Sequence, residues 1–268
     1  YCIISILEIA MRLDGKTAII TGGGGAMGGA QAKLFAKEGA CVCVADFNLK
    51  MAQKVVDDIV AADGKAIAGD LDVRNPGQWL DAIMLTEKTF CSVDILCNNA
   101  GANFRVGFDD QTLEQWHTII DTGLTGAFLG IKAVIPAMRR SGGGVILNMG
   151  SLASIRPGGS PAYATQKMGL VGLTRVAAAY YAKDNIRCVI ISPGHVDTPF
   201  IRDNSFYSPN DDTTSIDNPE NYRRRVEATP LGRLMVPEDI AKTFLFAASD
   251  EGAMITGSMI TVDGGAAL

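Results

Sequence analysis

Tyr163 and Lys167 stand four residues apart in a segment of helical periodicity. That spacing puts them on one helix face, with Cβ atoms about 5–6 Å apart. A phenol of ordinary pKa, about 10, is a weak acid–base catalyst at neutral pH. An ammonium beside it favours the phenolate and lowers that pKa. Such a phenol can give a proton to a carbonyl oxygen as hydride arrives at the carbon, or take one from an alcohol in reverse. Ser151, just past an apolar β-rich run, supplies a hydroxyl that can hydrogen-bond the same oxygen. A Tyr with a Lys four residues on also arises by chance. The pair gains weight from position, because Ser151 and Tyr163 both follow the fifth apolar run, at the carboxyl edge where doubly wound sheets bind ligands.

A second constellation is glycine-rich. Thr21-Gly22-Gly23-Gly24-Gly25-Ala26-Met27-Gly28 joins a predicted strand to a predicted helix. A dinucleotide's pyrophosphate needs close backbone approach and the free N–H groups of a helix N-terminus. Glycines such as Gly22 and Gly25 serve both needs, although a flexible turn has the same composition. Asp46 then ends the second strand at about the 20-residue offset typical of such sites. A carboxylate there accepts both ribose hydroxyls of NAD and repels the extra phosphate of NADP. A solvated strand-end acid is the plain alternative. Within 22–29 there is no Lys or Arg to welcome that phosphate.

These residues need a frame, and the chain supplies one. Short apolar runs at 17–21, 41–45, 65–69, 93–97, 145–148, 186–191 and 259–262 read as strands. Between them, 26–38, 51–62, 78–90, 162–182 and 237–248 have helical period, as does one long stretch from about 112 to 140. Strands without apolar/polar alternation are covered on both faces, and strand–helix–strand repetition makes the sheet parallel. The expected fold is a single α/β domain, a doubly wound parallel sheet of about seven strands with helices on both faces. It spans residues 11–268. Residues 1–10 are an apolar extension of unknown origin, too short to span a bilayer. No other segment reads as a transmembrane span, and the expected location is cytoplasmic. The polar stretch 198–229 interrupts the pattern, and a segment this long in a compact domain reads as a functional lid or mobile element.

The net charge of −5 and pI of about 5.1 argue against a nucleic-acid partner. Two His and six Cys without a C-x-x-C pair leave no expected metal site. Cys41, Cys43, Cys97 and Cys188 fall in predicted strands and read as buried free thiols.

Taken in order, the motifs resemble the short-chain dehydrogenase/reductase family. They are Thr21-Gly22-x-x-x-Ala26-x-Gly28, Asp72-Val73, Asn98-Asn99-Ala100-Gly101, Ser151, Tyr163-x-x-x-Lys167, Pro193-Gly194-x-x-x-Thr198 and Val262-Asp263-Gly264-Gly265. The resemblance covers about residue 11 to the C-terminus. It implies a Rossmann-type fold and an NAD-dependent oxidoreductase acting on a small secondary alcohol or ketone. It further implies that Asp72 bonds the adenine amine with the Val73 backbone beside it, and that Asn99 lines the adenosine ribose. Met27 would meet the pyrophosphate through its backbone. Lys167 would hold the nicotinamide ribose beside Tyr163, and Val196 and Thr198 would contact the carboxamide. A dimer or homotetramer is implied, with the long helices after strands four and five packing against partners. The apolar segment 259–268 fits a buried C-terminus.

Two departures stand out. Ala26 replaces a common Gly, a small change. Gly123 occupies the place of an Asn thought to bend the long helix and hold a water that links Lys167 to solvent. Gly permits the bend, and a second water can replace the amide. If the relay is weakened, Gly123→Asn should raise turnover at low pH.

The substrate is not named by the sequence. Arg156 and His195 are candidates for binding an anionic group, with a solvated loop charge as the plain alternative. Arg223-Arg224-Arg225 reads as a solvated helix face. Two other readings remain open. One is an NADPH-dependent acyl-carrier ketoreductase, with a basic docking patch at the pocket mouth. The other is a dinucleotide-sensing protein without catalysis.

Overall fold

A computed structural model describes residues 11–268; the extension at 1–10 lies outside the described residues. Seven strands form one parallel sheet in the order β3-β2-β1-β4-β5-β6-β7. They are β1 (Thr17–Thr21), β2 (Cys41–Asp46), β3 (Lys65–Asp70), β4 (Ile95–Asn98), β5 (Gly144–Met149), β6 (Ile186–Pro193) and β7 (Met259–Val262). The order reverses between β1 and β4, so a crevice opens at their carboxyl ends, where ligands of such sheets bind.

Helices cover both faces. On one face α1 (Ala26–Lys37), α2 (Leu49–Val60) and α9 (Pro237–Ala248) pack a core containing Phe35, Val44, Ile59 and Phe244. On the other, α3 (Pro76–Phe90), α5 (Gly126–Arg140) and α6 (Pro161–Tyr181) enclose Trp79, Leu96, Met138 and Ile146. Central strands therefore bury both rows of side chains, which explains their unbroken apolar runs. Cys43, Cys97 and Cys188 are buried free thiols, whereas Cys41 is half-buried and Cys91 exposed.

Four expectations change. The long helix is two helices, α4 (Leu113–Ile120) and α5, joined by a π-helical turn at Asp121–Thr125. A Thr112–Gln115 capping box starts α4. The same stretch, Leu113–Arg140, is long and apolar enough to cross a membrane, which the sequence reading missed. Here Ile131, Val134 and Ile135 lie in the core against the sheet, whereas Leu113 and Phe128 are exposed. The C-terminus is not buried within the chain. β7 is an edge strand, half exposed, and Leu268 is fully exposed. The segment 198–229 holds two helices, α7 (Pro199–Arg202) and α8 (Pro219–Glu227). Its polar residues bond inward: Asn210 Nδ2 donates to the carbonyls of Phe200, Asp203 and Ser208 at 3.2, 2.7 and 3.1 Å.

Candidate active site

β5 and α6 present the three candidate catalytic residues. β5 leads to Ser151 in extended conformation, which caps a short 3-10 turn at Leu152–Ser154. Its Oγ accepts from the Ala153 amide at 3.2 Å. Ser154 Oγ in turn donates to the Lys167 carbonyl at 3.2 Å, tying the turn to α6. α6 opens with Ser160 as its cap, accepting from the Tyr163 amide at 3.3 Å, and with Pro161 in its first turn. Lys167 is 4% exposed. Its Nζ donates to the Met149 carbonyl at 2.8 Å and stands 5.4 Å from the Tyr163 ring centre. Phe104, Trp116 and Tyr207 pack with Tyr163 around buried Ala102, Ile119 and Ala162. Tyr163 thus has an apolar wall on its flank.

Burial governs the electrostatics. It pushes the Lys167 amine down to about 7. It also holds the Tyr163 phenol above its ordinary value, opposed by a hydrogen bond with Ser151 and by the positive charge of Arg105. The lysine was expected to lower the phenol, yet the cation that opposes burial here is Arg105. A desolvated amine loses its charge readily, whereas a guanidinium keeps it. Arg105 follows β4 in the chain, and no local spacing ties it to Tyr163.

The dinucleotide candidates gather at the carboxyl ends of β1, β2 and β4. Gly22 adopts φ +60°, a left-handed conformation suited to glycine. A side chain at Gly23 would press on Val44 Cγ1 at 2.7 Å and the Ile20 carbonyl at 2.8 Å. These glycines let the turn close against β2. Gly25 starts α1 with no side-chain cap on its first N–H groups. An uncapped helix start beside bare backbone fits a phosphate group. Asp46 is 7% exposed, and its oxygens accept from the amides of Gly24 at 3.0 Å and Asn48 at 2.9 Å. Burial raises its pKa against those two bonds.

The remaining candidates are more engaged than the sequence indicates. Asp72 is paired with Arg74 at 2.6 Å, and its carboxyl is held low by that partner. Val73 is buried, and its carbonyl accepts from Trp79 Nε1 at 2.9 Å. Asn99 and Gln31 exchange amide hydrogen bonds at 2.9 Å each. Met27 is half-buried against the α1 core. Val196 is buried and bridges to Met235, and Thr198 precedes α7 without capping it, its Oγ1 donating to the Val196 carbonyl at 3.4 Å. Arg156 is exposed. His195 is half-buried, and burial with the charges of Arg225 and Arg156 pushes it down to about 4.

Thr21 gained no separate role from the sequence beyond its place in the motif. Its Oγ donates to the Cys97 carbonyl at 3.3 Å and accepts from the amides of Asn99 and Ala100 at 3.1 and 3.2 Å. It clamps the β1 and β4 ends together. Gln166 also went unnoticed. It is buried, both amide atoms lack a partner, and it fills the space that a side chain at Gly123 would need, 2.5 Å from its Cδ. The bend at Gly123 is therefore real, but an Asn there would collide with Gln166. The expected gain from Gly123→Asn therefore requires the Gln166 side chain to move aside.

A family model described as enoyl-(acyl carrier protein) reductase matches residues 24–267. The 2,5-dichloro-2,5-cyclohexadiene-1,4-diol dehydrogenase of Sphingobium indicum is 37% identical over 258 residues, covering 96% of this chain and 98% of that one. The chain belongs to the short-chain dehydrogenase/reductase family. The cyclohexanol dehydrogenase of an Acinetobacter species is 35% identical, covering 94% of this chain and 95% of its own. A solved 7α-hydroxysteroid dehydrogenase, complexed with NADH and 7-oxo glycochenodeoxycholic acid, superposes with a TM-score of 0.87. It is 32% identical and covers 96% of each chain. This short-chain dehydrogenase/reductase is accordingly an oxidoreductase acting on CH–OH groups, with relatives that oxidise secondary and cyclic alcohols.

Proposed function

We propose that this protein transfers a hydride between NAD(H) and a small cyclic secondary alcohol or its ketone, with Ser151, Tyr163 and Lys167 as the chemical centre. One observation carries the reading: a buried lysine amine 5.4 Å from the ring of a tyrosine whose phenol Ser151 and Arg105 favour in its ionised form, all at the sheet's carboxyl edge. The cyclic alcohols in the names of two relatives support the substrate class.

In the oxidation direction Ser151 holds the substrate hydroxyl and Tyr163 Oη takes its proton. Arg105 and the Ser151 hydrogen bond favour the phenolate that this step requires. Lys167, neutral or charged near pH 7, lies where it can pass the proton onward. The apolar wall of Phe104, Trp116 and Tyr207 holds the ring and excludes water. When bound, nicotinamide accepts or returns the hydride. Gly22, Gly25 and the Met27 backbone would carry its pyrophosphate, Asp46 and Asn99 its adenosine ribose, and Asp72 and Val73 its adenine. Lys167 would hold the nicotinamide ribose, and Val196 and Thr198 the carboxamide.

The test is absorbance of reduced nicotinamide with NAD or NADP and a panel of cyclic secondary alcohols. Turnover with NAD is expected, and Tyr163→Phe should lower it by about 100- to 10,000-fold. Silence of the wild type across the panel would overturn the reading and favour a dinucleotide-binding protein without catalysis. Preference for NADP would favour the acyl-carrier ketoreductase instead. Asp46→Asn should raise KM for NAD about tenfold and narrow discrimination against NADP, because it removes the charge that repels the extra phosphate.

A further inference from the structure

Four basic side chains come from four segments of the chain, three of which leave the carboxyl edge of the sheet that carries Ser151. Arg105 follows β4, Arg156 follows the turn after β5, His195 follows β6, and Arg225 sits on α8. They share one electrostatic neighbourhood: Arg105 is influenced by both Tyr163 and Arg225, and His195 by both Arg225 and Arg156. Arg12, Arg74, Arg139, Arg140, Arg202 and Arg233 each pair with a carboxylate. Among the described residues, Arg105, Arg156 and Arg225 pair with none, as is also true of Arg175, Arg187 and Arg224.

The two inner arginines differ in what they have left to offer. Arg105 commits its fork to the lid, donating to Ser208 Oγ at 2.9 Å, the Pro209 carbonyl at 3.3 Å and the Phe200 carbonyl at 2.8 Å. Arg225 Nη2 donates to the Thr214 carbonyl at 3.0 Å. Its Nη1 is buried and has no partner among the described residues. Leaving a charged donor out of water without an acceptor is costly, and gathering like charges beside it adds to the cost. A neutral acceptor would satisfy the N–H and leave the charge; an anion relieves both.

We propose that this pocket takes substrates bearing a carboxylate, which accepts from Arg225 Nη1 with Arg156 at the rim, on the end of the substrate away from the reacting hydroxyl. This rests on the hydride-transfer reading above. His195 is pushed down to about 4, so it is uncharged at neutral pH and contributes a hydrogen bond rather than a charge. A cofactor pyrophosphate is a less fitting occupant, because the uncapped start of α1 lies at β1 whereas this cluster follows β4, β5 and β6. A carrier protein is also less fitting, because Arg105 and Arg225 are half-buried and only Arg156 is exposed. The third arginine of the sequence run is thus not part of a solvated face.

The experiment is calorimetry with two probes of one shape, cyclohexanecarboxylate and cyclohexanecarboxamide, on the full chain with nicotinamide dinucleotide present. The acid is expected to bind about tenfold or more tightly than the amide. Arg225→Gln should abolish that preference, Arg225→Lys should keep part of it, and Arg156→Gln, at an exposed position, should weaken it with the fold intact. Equal binding of the two probes, or a preference for the amide, overturns the proposal. So does an Arg225→Gln variant that weakens dinucleotide binding and leaves the preference in place. Oxidation of cyclohexanol, measured alongside, reports on the hydride-transfer reading by itself. A protein that oxidises cyclohexanol without preferring the acid loses only the carboxylate site. One that prefers the acid but oxidises no alcohol loses only the reaction.

Discussion

A fully buried lysine sets its own pH dependence. Lys167 has a native pKa of about 7 against an ordinary 10.5. The unfolded chain therefore holds this proton more tightly than the native one. Between about pH 7 and 10.5 the unfolded state carries the extra proton, so this site makes stability rise with pH across that window. Below pH 7 both states are protonated and the burial penalty is felt in full. Lys167→Met removes the penalty at every pH and loses the bond to Met149, which adds a constant offset. The expected result is that the variant's advantage over wild type shrinks from pH 7 to 9, by up to about 1.4 kcal/mol per pH unit. Thermal melts of the cofactor-free protein read this slope, and parallel curves would show that Lys167 is not depressed.

Gly123 poses a packing problem of the same local kind. A side chain there meets the Gln166 amide, which is itself buried and unpartnered. Gly123→Ala should destabilise by about 1–3 kcal/mol through overpacking, and Gln166→Ala in the same chain should recover most of the loss. Denaturant melts of the two single variants and the double variant decide it. The absence of the family's Asn was legible in the sequence; the side chain that faces its place was not. Gln166 meets Gly123 across two helices, and no local spacing announces that contact.

At the level of elements, periodicity served well where burial was two-sided. All seven strands and the helices on both faces follow from apolar runs and breaks, with boundaries differing by a few residues. The π-helical turn was hidden because apolar period continues through it. The segment 198–229 hid its two helices for a different reason. Its Ser and Asn residues resemble a mobile loop in composition, yet their side chains act as inward donors to backbone carbonyls. The candidate site shows the same division. Ser151, Tyr163 and Lys167 were legible from type and spacing, whereas the roles of Arg105 and Arg225 arise from chain segments distant in sequence. Asn210 is the clearest test of the lid. It is 7% exposed, and its Nδ2 serves three carbonyls. Asn210→Ala strands the Asp203 carbonyl, whereas those of Phe200 and Ser208 keep other donors, a local loss of about 1–3 kcal/mol. Limited proteolysis should then cut 203–217 faster than in wild type, with a smaller change in global melting because the segment lies outside both main cores. An unchanged cleavage rate would mean that the remaining contacts of Arg105 hold the lid alone.

Large apolar side chains are exposed at several points of the whole molecule, Phe108 and Phe206 among them, and two groups lie where a second copy can pack. One is the outer side of α5 and α6, where Phe128 is 48% exposed and Val176 and Tyr180 are each 65% exposed. The other is the edge formed by β7 and its surroundings, where Leu231 is 80% exposed, Met254 95% and Leu268 fully so. An uncovered edge strand is a liability in a lone chain and an asset at an interface. A tetramer of dihedral symmetry requires two distinct two-fold contacts, and these two groups of side chains are our candidates for them. We therefore expect a homotetramer in sedimentation. Val176→Glu should break the helix contact and leave dimers joined through the β7 edge. Leu268→Glu combined with Met254→Glu should leave dimers joined through the helices. Uniting the three changes should give monomers that still fold, because all three residues lie at the surface. A wild-type monomer would refute the two-patch account, and dimers unaffected by Val176→Glu would remove the helix contact from it.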